Sequence, residues 1–194
     1  MQFDRIKKFK YVEKADAAKR AAERYEIFVA GPFIDIFKPD TDPVNSENAG
    51  KRIRYAVHRY YSEHHNVYLG EDSHLRIIGE KHYGKLSNAT IFERHYILDH
   101  IGALLVFPAG PGVFCELGDW ATSKSICEKM LVIIDKQFEG KASYINDGTA
   151  KLAELQGATV KYIDYLSESQ VISACDEFVD KLAAMKRLNE LYQR

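Results

Sequence analysis

Cysteine is scarce in this sequence. Three occur in 194 residues (Cys115, Cys127 and Cys175), an odd number with no C-x-x-C pair. That scarcity excludes a disulfide framework, argues against a cysteine zinc site and favours a reducing compartment. An excess of one charge is missing too: 27 Lys and Arg meet 28 Asp and Glu, for a net charge of −1. Such a balance gives no electrostatic footprint for direct nucleic-acid binding or for a membrane surface. No apolar run approaches the roughly 18 residues of a membrane-spanning helix. The first residues, MQFDRIKKFKYVEKADAAKR, are too charged for a signal peptide. A soluble cytoplasmic protein is expected. Seven histidines are present without H-E-x-x-H or a similar spacing, and His64 and His65 fall on different helix faces. They read as solvated or core-edge groups, so neither a metal site nor a cofactor is expected.

What is present is an ordinary globular balance, 46% hydrophobic and 28% charged, enough for one domain with a sizeable core. Twelve tyrosines and ten phenylalanines exceed what a minimal core needs. Aromatics at a subunit contact, giving a homo-oligomer, or over a planar ligand both account for the surplus. Residues 4–25 read as a helical extension that covers a sheet edge or packs on another subunit. Residues 26–31 are a first strand closed by Gly31-Pro32, and a Pro- and Asp-rich loop runs through residues 33–46. Ser46 or Asn48 caps a helix to about His65, with Ile53, Ala56, Val57 and Tyr60 as its buried face. Residues 66–70 form a second strand. The stretch 74–100 reads as a lid-like or irregular part followed by a helix ending near Leu98. Strand three covers 101–107, a helix covers 112–128, and strand four covers 129–136. Asp147 caps a helix ending at Gly157, strand five covers 158–164, and a last helix reaches Tyr192.

Strands alternating with helices predict an α/β fold, a three-layer flavodoxin-like parallel sheet of five strands in the order 2-1-3-4-5. The domain is expected to comprise the extension at residues 1–25, a core at 26–164 and the C-terminal helix at 165–194. In that order the switch point lies between strands one and three. There the stretch IGALLVFPAGPGVFCELGDW, residues 101–120, passes from strand through a Gly/Pro turn into a helix. Exposed peptide N–H groups at a helix start attract anions, so Gly110, Gly112 and Val113 are candidates for a substrate phosphate. Gly31, Pro32 and Phe33 face them, Gly31 letting a ligand approach the backbone and Phe33 offering a stacking ring. Arg52 and Arg54 are weaker candidates for phosphate contact. Glu116 lies about a turn into the helix, where the dipole keeps a carboxylate ionised. It acts on a ligand, or it caps its own helix. Asp72 follows strand two and could reach the same crevice. Trp120 reads as core, and Cys115 as a buried cysteine without an adjacent base.

A resemblance bears on these alternatives. Ala30-Gly31-Pro32, Asp99 before strand three, and Gly112…Glu116-Leu117-Gly118 with Ala121 resemble the nucleoside 2-deoxyribosyltransferase-like superfamily. TIR-type NAD-cleaving domains and nucleosidase-like effectors of anti-phage systems, retron-associated ones included, look similar over about residues 26–164. The Pro108–Glu116 segment is more weakly similar to a phosphoribohydrolase loop, without its threonine. The resemblance implies cleavage or exchange of an N-glycosidic bond in a nucleotide, nucleoside or NAD. Glu116 would be the nucleophile or cation stabiliser, and Asp99 a second catalytic residue, though Asp99 equally suits a helix end. A nucleotide-sensing or assembly module in the same crevice is the alternative, with a role in anti-phage defence possible for either.

Overall fold

The computed structural model describes residues 24–86 and 88–192. The predicted helix over residues 4–25 lies outside them, apart from Arg24 and Tyr25, which are not helical. Five parallel strands form one sheet: β1 (Glu26–Ala30), β2 (Asn66–Tyr68), β3 (Ala103–Val106), β4 (Met130–Asp135) and β5 (Thr159–Ile163). Their order, β2-β1-β3-β4-β5, is the expected one. Side chains alternate across a pleated strand. Phe28, Ala30, Leu104, Val106, Met130 and Val132 therefore face one core layer, while Ile27, Val29, Ala103, Leu105, Leu131 and Ile133 face the other. A parallel sheet is covered on both faces, which is why these strands read as unbroken apolar runs.

Among the described residues there are eight α-helices: α1 (Pro43–Ser46), α2 (Ala49–Ser62), α3 (Ser73–Tyr83), α4 (Ala89–His100), α5 (Pro111–Trp120), α6 (Lys124–Cys127), α7 (Ala150–Leu155) and α8 (Glu168–Tyr192). One layer takes Ile53, Val57 and Tyr61 from α2 with Val171, Cys175 and Phe178 from α8. The other takes Phe92, Tyr96 and Ile97 from α4, Leu117 and Trp120 from α5, and smaller contributions from α3, α6 and α7. The chain thus leaves β1 on one face of the sheet and reaches β3 along the other. Ala30 and Val106 are register partners, so the loops after β1 and β3 part at the carboxyl edge and leave a crevice between them.

Several local expectations change. The stretch expected to be irregular is helix α3, with Leu75 and Gly79 buried, and it ends at Gly84 with φ +55°. A mid-helix glycine costs about 1 kcal/mol relative to alanine, and here that cost is outweighed because Gly79 lies on the packed side. The expected helix 112–128 is two helices, α5 and α6, with Ser123 as the N-cap residue of the second. Asp147 does not cap α7; it lies in a π-helical turn, Ile145–Thr149, and its carboxylate accepts from Ser143 N at 3.1 Å. Gly157, with φ +106°, follows α7 and ends its last turn as expected. On α2 the apolar stripe continues to Tyr61, 2% exposed, while Tyr60 is 42% exposed. The long Pro-rich loop is ordered from inside by fully buried Asn45, whose amide donates to Asp35 O, Lys38 O and Pro39 O while its oxygen accepts from Asp35 N.

Gly50 sets how closely α2 approaches the segment entering α5: a Cβ there would lie 2.4 Å from the Ala109 Cβ. Overpacking of this kind costs about 1–3 kcal/mol. Gly50→Ala is expected to lower the melting temperature by roughly 2–4 °C per kcal/mol. An unchanged thermal melt would mean that the two segments separate freely.

Candidate functional site

A cavity of about 540 Å³ opens at the switch point. Its walls come from Gly31–Phe33 after β1, Asn48 and Lys51 at the start of α2, Glu71 after β2, Glu93 on α4, and Ala109–Val113 with Glu116 around the start of α5.

Arg54 holds this arrangement together. It is 2% exposed, and its guanidinium donates to Val29 O from Nε (3.2 Å) and Nη2 (2.9 Å) and to Pro32 O from Nη1 (2.8 Å). It also makes a two-pronged ion pair with Glu71, Nη2 to Oε2 at 2.8 Å and Nη1 to Oε1. Glu71 in turn accepts from Ile34 N at 3.3 Å. Gly31 lines the cavity as expected, and its missing side chain also makes room for Arg54, whose Cδ would be 2.8 Å from a Cβ there.

Two further carboxyl groups line the cavity. Glu93 is 5% exposed and lies over Gly70, where a Cβ would come within 2.8 Å of its Oε1. Burial, then the nearby Glu116 and Glu71 charges, push its carboxyl up to about 8, against the opposing pull of Arg54. Glu116 is also pushed above the ordinary carboxylate range, first by burial, with Arg54 opposing and Glu71 adding to the rise. No hydrogen bond contributes to either shift. The helix dipole expected to govern Glu116 is not the leading influence on it. Because α5 begins at Pro111, Glu116 lies beyond its first turn, where the dipole has faded and desolvation wins.

Glu93, Gly112 and Glu116 also border a second chamber of about 190 Å³ between α4 and α5, reached past Ala89, Thr90, Cys115, Asp119 and Trp120. Cys115 is exposed rather than buried as expected, because it lies on the side of α5 away from the sheet. Trp120 is core, 1% exposed, with its ring edge-on to Phe28.

The structure brings Gly31, Pro32, Phe33, Gly110, Gly112, Val113 and Glu116 to one cavity. Phe33 is 57% exposed at the rim, and Gly112 faces open space. The Val113 side chain is in the core, leaving its peptide group toward the helix start. Asp72 does not join them: its carboxylate turns back to accept from Leu69 N at 2.9 Å. Nor does Asp99, which is exposed near the end of α4, on the amino side of β3, within 3.4 Å of His95. Arg52 donates to Ser46 O. His82 and His95 lie against each other, 5.1 Å between centroids with their planes tilted by 49°, and neither lines the cavity. Glu93, Glu71 and Lys51 were missed by sequence reasoning. The available signal was an acid, Glu93, set among Phe92, Tyr96 and Ile97 on an otherwise apolar stripe. Among the described residues no group of three or more His, Cys, Asp or Glu is arranged to hold a metal ion. No described helix is long and apolar enough to cross a membrane.

A sequence model described as STM3845 retron effector protein matches residues 50–193, about three-quarters of the chain. The chain belongs to this retron effector family. The matched span carries Arg54, Glu71, Glu93 and Glu116 and leaves out β1. The effector is also similar to an Escherichia coli protein named "Retron Ec86 putative ribosyltransferase/DNA-binding protein", at 27% identity over 108 residues. That similarity covers 54% of this chain and 34% of the relative, so the effector matches about a third of the relative's length.

Glu93 yields a prediction of sign. Its folded value of about 8 lies above the unfolded value of 4.5. The stability this gives is fully present below the unfolded value and is lost as pH rises through about 8. Glu93→Gln should therefore gain melting temperature over the wild type progressively between pH 5 and pH 9, by roughly 2–4 °C for each kcal/mol of charge burial relieved. A pH-independent difference in thermal melts would contradict the assignment.

Proposed function

We propose that the cavity takes a nucleotide-like substrate (a nucleotide, a nucleoside or NAD) and that its N-glycosidic bond is broken between Glu93 and Glu116. The observation that carries this reading is the meeting of two hydrogen-bond-free carboxyl groups in one switch-point cavity, one of them held up to about 8. The ribosyltransferase in the relative's name supports the same class of chemistry, as does the resemblance to nucleoside deoxyribosyltransferases. A volume of about 540 Å³ suits one nucleotide-sized ligand.

In this mechanism Glu93, neutral at pH 7, gives its proton to the departing base of a nucleotide or nucleoside as the C1′–N bond breaks and its electron pair moves to the base; nicotinamide leaving NAD takes the electron pair alone and needs no proton. Glu116 in its carboxylate form faces the cationic C1′, stabilising it or bonding to it. Water then adds to C1′ and returns a proton to Glu93. A second base in place of water gives exchange instead of hydrolysis. Peptide N–H groups at the start of α5, with Lys51, hold the phosphate side of the substrate. Asp99 and Asp72 have no part in these steps. The relative's name also includes DNA binding, and the charge balance of −1 does not favour that role here. The reading keeps a cytoplasmic setting, a defence role and a homo-oligomer, the last supported by exposed Met185, Leu188 and Leu191 near the end of α8.

The test is incubation of the protein with NAD, deoxynucleoside monophosphates and nucleosides, with free base followed by chromatography. Wild type is expected to release base, and Glu116→Gln to release none above background. Glu93→Gln is expected to be slowed about 10²–10⁴-fold and to lose the alkaline limb of the pH profile. Undiminished release by Glu116→Gln would sink the mechanism. Ligand binding by the wild type without release would instead favour a nucleotide-sensing module.

A further inference from the structure

Glu93 and Glu116 stand in the partition between two chambers of different chemistry. The larger is bordered by Asn48, by Lys51, whose Nζ is paired with Glu47 Oε2 at 2.6 Å, and by the opening peptide groups of α5, whose N–H groups suit a sugar phosphate. The smaller is bordered by the apolar surfaces of Ala89, Cys115 and Trp120, with the Thr90 hydroxyl and the Asp119 carboxylate as its polar groups. Its nearest cation, Arg94, is already engaged, donating from Nη1 to Asp119 Oδ2 at 2.9 Å and to Asp119 O at 3.2 Å. That fork holds the Asp119 carboxylate in place, with Oδ1 as its remaining acceptor. At about 190 Å³ the chamber exceeds the roughly 150 Å³ that holds a benzene ring in an apolar protein cavity.

A bond broken at the partition has one half on each side. We propose that the smaller chamber is the base pocket of this site, and that it takes a planar nitrogen base carrying an exocyclic NH2 group. This rests on the N-glycosidic reading above. The sugar and phosphate belong on the side with the free peptide N–H groups at the start of α5. The ring lies between α4 and α5 against Ala89 and Cys115, with core-buried Trp120 behind them. The Asp119 carboxylate accepts from the exocyclic amine, and Thr90 exchanges a hydrogen bond with the ring. A base presenting carbonyl oxygens at that edge, such as uracil or thymine, sets like partial charges against Asp119 and leaves the acceptor unmatched.

Cys115 supplies the test, because it is exposed beside the chamber while Cys127 and Cys175 are buried. Its alkylation by iodoacetamide is followed by mass spectrometry in the presence of free adenine, cytosine or nicotinamide, of uracil or thymine, and of ribose 5-phosphate. The amino- and amide-bearing bases are expected to slow alkylation several-fold, while uracil, thymine and ribose 5-phosphate leave it unchanged. Thr90→Phe, a change at an exposed position that fills the chamber, is expected to abolish the protection. If wild type releases base from substrates yet no free base protects Cys115, this pocket assignment fails and the catalytic reading stands. If the bases protect but no substrate is cleaved, the pocket stands and the catalytic reading fails. Protection by ribose 5-phosphate equal to that by the bases would overturn the orientation proposed.

Discussion

The guanidinium of Arg54 is the constraint on which the cavity depends. It ties together three segments that have no backbone pairing with one another at this point: the end of β1 through Val29 O, the following turn through Pro32 O, and the loop after β2 through Glu71. A cation at 2% exposure is tolerable only when its donors are occupied and its charge is matched, and here both conditions hold. Gly31 is the concession that makes this possible, since any side chain there would meet the arginine stem. The loop after β1 is thereby held open above the sheet, and α2 is pinned beside it. The floor of the cavity is a consequence of one satisfied buried cation.

The same ion pair governs the electrostatics of the acids. Arg54 brings one positive charge and Glu71 takes it in a two-pronged contact. Glu93 and Glu116 are left chiefly with desolvation, to which the Glu71 charge adds for both and the Glu116 charge adds for Glu93, and Arg54 counters only part of that. Both therefore sit above the ordinary carboxylate range. Without Glu71 the guanidinium would be the nearest uncompensated charge and would pull both acids toward ionisation. An ion pair that looks purely structural thus sets the protonation of the groups beside it.

Much of the fold was legible because its signals are local. A parallel sheet buried on both faces writes each strand as a short apolar run, and the alternation with helices limits the order of strands to few choices. The turn of Gly and Pro between β3 and α5 likewise marked the edge where Glu116 lies. Helix α3 was hidden by Gly79 and Gly84, since a glycine on a packed helix face has the same letter as one in a loop. Glu93 was hidden for a different reason: its approach to Glu116 exists only after α4 packs beside α5, a tertiary fact with no counterpart in spacing. The sequence trace of both Glu93 and Arg54 is a charged residue on an apolar stripe, Phe92–Tyr96–Ile97 in one case and Ile53–Val57–Tyr61 in the other. Asp99 shows the converse hazard, because a motif match drew attention to a residue that lies on the amino side of β3 beside His95.

Two desolvated carboxyl groups that accept no hydrogen bond weaken a fold at neutral pH. A ligand whose adjoining atoms make opposite demands, one seeking a proton and the other accumulating positive charge, would complete such a pair. An N-glycosidic bond under cleavage has that pair of atoms, the base nitrogen and C1′ of the sugar. The proposed chemistry therefore accounts for the feature of this retron effector that packing alone leaves unexplained. It also accounts for the placement of the acids between two chambers, since the bond being broken must lie across the wall that separates its two products.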